Sequence, residues 1–366
     1  MKELLEDIAR WRAAGRKVAL ARVVGTDGSG PRDPGAAMAV NEDSEVIGSV
    51  SGGCVEGAVL TEGLKVIERG IPKRVTYGIA DDDAFAVGLT CGGTIHIFID
   101  DFNDEIDIAI SEALATGEPA ALATVIDGPG AAKKLLVRPD QPDLGSLGNA
   151  ELDRVVARDA LGELEAGRTG TRHYGVHGEA RREEGVEVFI ESFALPPKMI
   201  IFGAIDFTAA LARLARLLGY HVTVCDARPV FATKKRFPMA NEVVNEWPDR
   251  FLAVVGKELG PRDAVCVLTH DPKFDVPAIM AAVETKAGYL GVMGSRRTHD
   301  KRLERLKEAG LDDDGFARLM SPIGLDLGAR TPEETAVSIC AEIIALRTGR
   351  EATVSLRETE GPLHRR

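Results

Sequence analysis

The chain has 366 residues, 45% hydrophobic and 28% charged, a composition expected of a soluble globular protein with room for two domains. Its formal net charge of −12 disfavours a general nucleic-acid or anionic-membrane surface, and no uncharged apolar run reaches the roughly 18 residues that span a bilayer. The N-terminal residues carry acids and helical spacing rather than an apolar signal core, and five scattered cysteines form no disulfide framework, so a reducing cytoplasm is expected.

Residues 2–14 have helical spacing (Leu4, Leu5, Ile8, Trp11) and end near Gly15. Residues 17–24 are strand-like, a Gly/Pro-rich loop follows at 25–35, and two short strands are expected at 36–40 and 46–50. The stretch SGGCVEG, residues 51–57, then leads into a helix predicted over 55–69. Consecutive glycines at a strand-to-helix turn let backbone N–H groups aim at one spot, and a helix N-terminus favours a thiolate. Cys54 is therefore placed either as a reactive thiol or soft-metal ligand, or as a small buried residue under a glycine turn, the commoner setting for a cysteine. A second cysteine–glycine turn, GLTCGG at 88–93, contains Cys91, Gly92 and Gly93, follows an acidic turn at 81–83 and precedes a strand at 94–99. The two turns read either as one shared site or as two unrelated tight turns. They are not a zinc framework, because neither cysteine has a partner at ligand spacing.

Helices are expected over 103–116 and 150–165, and strands over 119–126, 134–137, 171–174 and 186–192. His173 and His177 are spaced i, i+4, but Gly175 and Gly178 argue against a helix, so they read as hairpin histidines rather than a metal pair. The paired prolines in residues 194–197 mark a linker.

Beyond it, KMIIFGAIDFTAALARLARLLGYHVTVCDAR (198–228) has the form strand, tight turn, helix, strand, with Asp226 where a Rossmann unit places its ribose-binding carboxylate. The fingerprint is incomplete. Gly203 is present, but Ile205 and Thr208 stand where the second and third glycines belong, and a β-branched Ile205 obstructs a pyrophosphate. Further strands are predicted at 242–244, 263–268 and 288–293, with a sixth candidate after 316–320. A helix opens at Thr331-Pro332-Glu333-Glu334 with a capping box and runs to about Arg347. In open α/β sheets ligands bind at the carboxyl ends of the strands. Those ends carry Asp226, His270 with Asp271, Ser295 with Arg296 and Arg297, and Ser321. The arginines suit a phosphate by charge and fork geometry. Each residue also has a plainer reading: Asp226 closing a turn, His270–Asp271 capping the helix entered at Pro272, and the arginines pairing with surface acids.

The expected fold class is α/β, with an N-terminal mixed α+β domain at 1–195, a C-terminal Rossmann-like doubly wound parallel sheet at 196–350, and a polar tail at 351–366. The motifs SGGCVEG, GLTCGG, THDPKFD (269–275), MGSRRTH (293–299) and SPIGLDLGARTPEE (321–334) resemble, in order, those of the XdhC/CoxI family, accessory proteins of xanthine and carbon monoxide dehydrogenases. The resemblance covers about residues 10–345 and departs from the family at 203–208, which usually reads G-A-G-H-V-[AG].

The resemblance implies a dimeric cytoplasmic factor that holds the molybdenum cofactor (molybdopterin), assists its sulfuration and passes it to a molybdenum hydroxylase. A cysteine desulfurase and the apoenzyme are the implied partners. Cys54 and Cys91 become the sulfur-handling and metal-contacting candidates. Gly52, Gly53, Glu56, Gly92 and Gly93 become the cofactor-binding candidates of the first domain, and Gly203, Asp226, His270, Asp271, Ser295, Arg296 and Arg297 those of the second. Two alternatives remain open: an NAD(P)-dependent oxidoreductase built on the Rossmann unit, and a non-catalytic scaffold with a degenerate cofactor site.

Overall fold

The computed structural model describes residues 1–28, 30–78, 93–179 and 185–349. The acidic turn at 81–83, Cys91, Gly92 and the polar tail lie outside the described residues. The chain divides between Leu195 and Pro196 into two compact units, and each is taken separately.

Unit 1 starts with α1 (Leu5–Ala13), β1 (Val18–Asp27), β2 (Ala37–Asn41), β3 (Val46–Gly48), α2 (Glu56–Arg69), β4 (Lys73–Tyr77) and β5 (Thr94–Asp101). It continues with α3 (Glu105–Thr116), β6 (Ala120–Asp127), β7 (Lys134–Val137), β8 (Leu144–Gly145), α4 (Ala150–Ala166), β9 (Gly170–Gly175) and β10 (Gly185–Phe193). The strands form two antiparallel five-stranded sheets, ordered β3-β2-β1-β5-β4 and β8-β7-β6-β10-β9. Period-two alternation explains the layering. On β1, Ala19, Ala21 and Val23 join Val59 and Val66 of α2 on the outer face, whereas Leu20 points inward to meet Leu122 of β6 and Leu136 of β7. Val125, Val188 and Ile190 pack in the same way under Leu152 and Val156 of α4. The unit is thus a sandwich of two sheets with a helix on each outer face. Its strands read as continuous apolar runs because both faces are covered.

The middle layer is not purely apolar. Arg22, inward on β1 between Leu20 and Val24, is fully buried. It donates from Nη2 to Asp100 of β5 at 2.7 Å and from Nη1 to Glu191 of β10 at 2.8 Å and Thr124 of β6 at 3.3 Å. Lys134 of β7 sits beside it, 3.1 Å from Asp100 Oδ2 and 2.7 Å from Asp107 Oδ1 of α3. One polar group from each of five strands therefore meets between the sheets. Burial pushes the Asp107 carboxyl up to about 7, against the pull of Lys134.

Unit 2 consists of β11 (Lys198–Phe202), α5 (Asp206–Leu217), β12 (His221–Cys225), β13 (Glu242–Val244), α6 (Pro248–Val255) and β14 (Ala264–Val267), followed by α7 (Pro272–Val283), β15 (Tyr289–Val292), α8 (Arg296–Glu308), α9 (Asp313–Ala317), β16 (Leu319–Met320) and α10 (Pro332–Arg347). The six strands are all parallel and ordered β13-β12-β11-β14-β15-β16. That is the Rossmann order, with its switch point between β11 and β14. Met199, Ile201, Val222 and Val224 face α5 and α10 on one side, and Ile200, Phe202, Val265 and Val267 face α6, α7 and α8 on the other.

The sequence did not signal β4, α6 or α9, nor the two-residue β8, which falls in a stretch that reads as a Pro/Gly-rich loop. β4 is an edge strand in which Lys73, Arg74 and Thr76 are exposed and only Val75 and Tyr77 are partly buried, so its apolar stripe is too short to mark it. α6 is two turns long, and α9 is five residues.

Candidate functional site

The cysteine turn of unit 1 is organised by a carboxylate. Gly52 and Gly53 both have positive φ, 81° and 118°, which bends the chain back over the first residue of α2. Glu56 then folds its side chain into the turn. Its Oε1 accepts from Ser49 Oγ (2.6 Å) and from the backbone N–H groups of Val50 (3.2 Å), Ser51 (2.9 Å) and Gly52 (3.1 Å). Its Oε2 accepts from Ser51 Oγ (2.6 Å) and the N–H groups of Gly53 (2.9 Å) and Val55 (3.2 Å). The convergent donors expected from the glycines are present, but an internal anion fills them.

Partial burial raises the Glu56 carboxyl, yet the hydroxyls of Ser49 and Ser51 and the turn amides outweigh it and hold the group down at about 2. Its charge also complements the positive end of α2. Cys54 rides on this braced turn with its N–H on Ser51 Oγ at 3.0 Å, and it is exposed. The alternative of a small cysteine buried under the turn is therefore corrected. The buried cysteines among the described residues are Cys225 of β12, Cys266 of β14 and Cys340 of α10, all in unit 2. Burial pushes their thiols up, to about 12 for Cys225 and Cys340. Of the second cysteine–glycine turn, only Gly93 is described, buried ahead of β5. Cys91 and Gly92 lie outside the described residues. No cluster of three or more metal-ligating side chains occurs among the described residues. His173 instead pairs with Glu187 across the β9–β10 hairpin at 3.2 Å.

In unit 2 the turn after β11 is tight. Gly203 has φ 107°, and a Cβ there would lie 2.9 Å from Thr269 Cγ2 at the end of β14, so only glycine fits this close approach. The turn amides are occupied internally: Ala204 N–H donates to Asp226 Oδ2 at 2.7 Å and Ile205 N–H to Gly203 O at 3.1 Å. Asp226 also accepts from Arg228, through its N–H (2.9 Å), Nε (2.9 Å) and Nη2 (2.8 Å). Burial raises the Asp226 carboxyl, but these bonds prevail and hold it below the usual carboxylate range. The carboxylate that would take ribose hydroxyls thus already carries four hydrogen bonds.

Asp271 is the N-cap of α7, bonded to Lys273 N–H at 3.1 Å, and His270 beside it is exposed. Ser295 caps α8 through Thr298 N–H at 3.2 Å. Arg297 is exposed on the first turn of α8 and has no ion-pair partner among the described residues. Arg296 opens that helix, and its side chain is outside the described residues. Ser321 Oγ meets His299 Nδ1 at 2.8 Å.

Sequence reading overlooked a buried chain behind these ends: Thr269 bonds Asp275, which pairs with Arg302 at 2.9 Å. It also overlooked Arg228 and Arg236. Asp226-x-Arg228 directly after a strand was the available signal.

Comparison with known proteins agrees along the chain. The family model described as the XdhC Rossmann domain matches residues 199–343, and that of the XdhC and CoxI family matches residues 11–78 and 113–175. Relatives include a probable xanthine dehydrogenase component of Bacillus subtilis, 27% identical over 90% of this chain and 92% of the relative. Another is the molybdenum cofactor insertion chaperone PaoD of Escherichia coli, 26% identical over 92% of this chain and 86% of the relative. A solved structure from Bacillus halodurans, described as a xanthine dehydrogenase, superposes with TM-score 0.67 at 25% identity and covers 97% of this chain and 98% of that one. With both sheets of unit 1, the Rossmann order of unit 2 and the family motifs in sequence, this chain belongs to the XdhC/CoxI family.

Proposed function

We propose that this protein is an accessory factor that holds the molybdenum cofactor, assists its sulfuration and passes it to a molybdenum hydroxylase of the xanthine dehydrogenase type. A cysteine desulfurase and the apo-hydroxylase are its partners, and a homodimer is its working form. The observation that carries this reading is Cys54, an exposed thiol on a turn fixed by seven hydrogen bonds to Glu56. A soft sulfur ligand matches a molybdenum–sulfur centre, and a braced turn presents it at little entropic cost. The relative named as a cofactor insertion chaperone, similar over nearly the whole chain, supports the same reading. Gly52 and Gly53 shape this turn, Cys91, Gly92 and Gly93 supply a second sulfur position, and the strand ends of unit 2 bearing His270, Ser295, Arg296 and Arg297 hold the cofactor's polar parts.

The nicotinamide reading has no support in the geometry, since Asp226 and the Ala204 amide are bonded to each other and Arg228 takes the remaining carboxylate positions.

Co-purification tests the proposal. Protein expressed in a molybdenum-replete host is expected to carry molybdenum and a fluorescent pterin in equal amounts, measured by elemental analysis and by fluorescence after oxidation. Protein carrying neither, yet still binding a hydroxylase, would make it a scaffold.

A further inference from the structure

The rearranged turn of unit 2 has an outward consequence. Because Asp226 grips Arg228 through Nε and Nη2, the guanidinium is held 4.6 Å from the ring centroid of Phe231 and 5.9 Å from that of Phe274. Its Nη1 keeps no hydrogen-bond partner among the described residues, and the side chain is 41% exposed. Arg236 approaches the same Phe231 ring at 5.3 Å and is anchored by Nη1 to Ala204 O at 3.1 Å. It also lies 5.5 Å from the ring centroid of Phe237, and its contact with Asp206 Oδ1 is distant, at 3.9 Å from Nη2. Two guanidinium groups therefore flank one half-exposed ring beside the Rossmann turn. Lys273 and Asp271 pair with each other nearby at 3.1 Å. The N-termini of α5 and α7 end on the same edge of the parallel sheet, where their dipoles add positive potential.

Backbone approach by a pyrophosphate is blocked, since the amides of Ala204 and Ile205 already have partners and Ile205 is β-branched. A terminal phosphomonoester asks for something else: a dianion with three free oxygens, suited to fork-shaped donors. We propose that Arg228 and Arg236 form a phosphomonoester-reading site at the mouth of the unit 2 crevice. This site takes the terminal phosphate of molybdopterin itself in preference to the pyrophosphate of a dinucleotide form of the cofactor. The choice of molybdopterin rests on the cargo reading above, whereas the phosphate chemistry does not.

Trp247 supplies the readout, because its ring lies 5.1 Å from Phe274, next to Arg228. The sequence has two tryptophans, so Trp11→Phe in the full chain leaves Trp247 as the sole emitter. Inorganic phosphate, molybdopterin and its cytidine dinucleotide form are titrated in turn, in that parent and with Arg228→Gln or Arg236→Gln added. Arg228→Gln strands the buried Asp226, so Arg236→Gln, with its lighter anchoring, is the variant expected to keep its urea midpoint. Phosphate is expected to shift Trp247 emission in the parent, molybdopterin to bind at least ten-fold more tightly than the dinucleotide, and Arg236→Gln to weaken phosphate and molybdopterin roughly ten-fold, the loss of one charge-assisted contact.

Unchanged affinity in Arg236→Gln, or equal affinity for the two cofactor forms, overturns the inference and leaves the cargo reading standing. A phosphate response lost in Arg236→Gln, with no molybdopterin binding in the parent, removes the cargo reading and keeps the phosphate site. No phosphate response at all overturns the site.

Discussion

Arg22→Ala is expected to lower the unfolding free energy of unit 1 by about 3–5 kcal/mol, the range for removing one partner of a buried charge network. The reason lies with what remains. Asp100 and Glu191 are each about as buried as Arg22, and both lose their guanidinium contacts, at 2.7 and 2.8 Å, inside a layer that also contains Phe98 and Phe189. Lys134 stays near Asp100 but already serves Asp107. Truncation therefore leaves a side-chain cavity and an excess of buried negative charge. Water cannot enter without parting the two sheets. Replacing the three together by apolar residues of similar volume, with Arg22→Met, Asp100→Leu and Glu191→Met, is expected to recover most of the loss, because such a filling avoids the desolvation cost while Lys134 keeps Asp107. Urea unfolding followed by Trp11 emission in a Trp247→Phe background checks both, as Trp11 reports on unit 1. A shift below about 1 kcal/mol for Arg22→Ala, the scale of a surface pair, would contradict the account of the middle layer.

Glu56→Ala has its largest effect on the cysteine turn rather than on global stability. The turn faces solvent, so water can replace part of what the carboxylate supplies, and a cost of about 1–3 kcal/mol is expected. The five amides that point at Glu56, however, lose the group that converges them. Their hydrogen exchange is expected to accelerate by roughly ten-fold or more, and Cys54 becomes mobile. pH gives the same test without a mutation. The folded pKa of Glu56, about 2, lies below its ordinary 4.5. Its contribution is therefore complete above pH 4.5 and is lost as pH falls through about 2. Protection of Ser51, Gly52 and Gly53 should persist to about pH 3 in the wild type. In Glu56→Gln, which keeps the shape and loses the charge, protection should be weaker and independent of pH in this window. Equal protection in the two proteins would mean that the glycines alone hold the turn.

How much of this was legible in the sequence differs between the units. Unit 2 was readable almost strand by strand, because a parallel sheet covered on both faces writes itself as short apolar runs such as Met199–Phe202, punctuated by Gly203 and Gly219. In unit 1 the strands were visible but the middle layer was not. Arg22 sits within KVALARVV in an otherwise apolar run, and its partners Asp100 and Glu191, like Lys134 beside them, look like strand-end charges until the two sheets stack. The glycine turn at 51–57 announced converging amides correctly. What it could not announce is that Glu56, one residue past Val55, would turn back and fill them, since that depends on the positive φ of Gly52 and Gly53. Asp226 was placed at the right strand end, but its engagement by Arg228 depends on a side chain that folds back over two residues. Sequence periodicity carries no record of such a contact.

The central claim, that the protein delivers a molybdenum cofactor and that Cys54 takes part, is tested most directly by reconstitution. Apo-hydroxylase is incubated with limiting molybdopterin and molybdate together with a cysteine desulfurase, L-cysteine and a thiol reductant as the sulfur source, alone, with this protein, or with its Cys54→Ala variant, and recovered hydroxylase activity is measured. The wild-type protein is expected to raise recovery about ten-fold or more over free cofactor, equivalent to at least about 1.4 kcal/mol of preferential delivery, and Cys54→Ala to lose most of that gain while binding the hydroxylase unchanged. Recovery no greater than with free cofactor, or equal recovery with wild type and Cys54→Ala, would contradict the account.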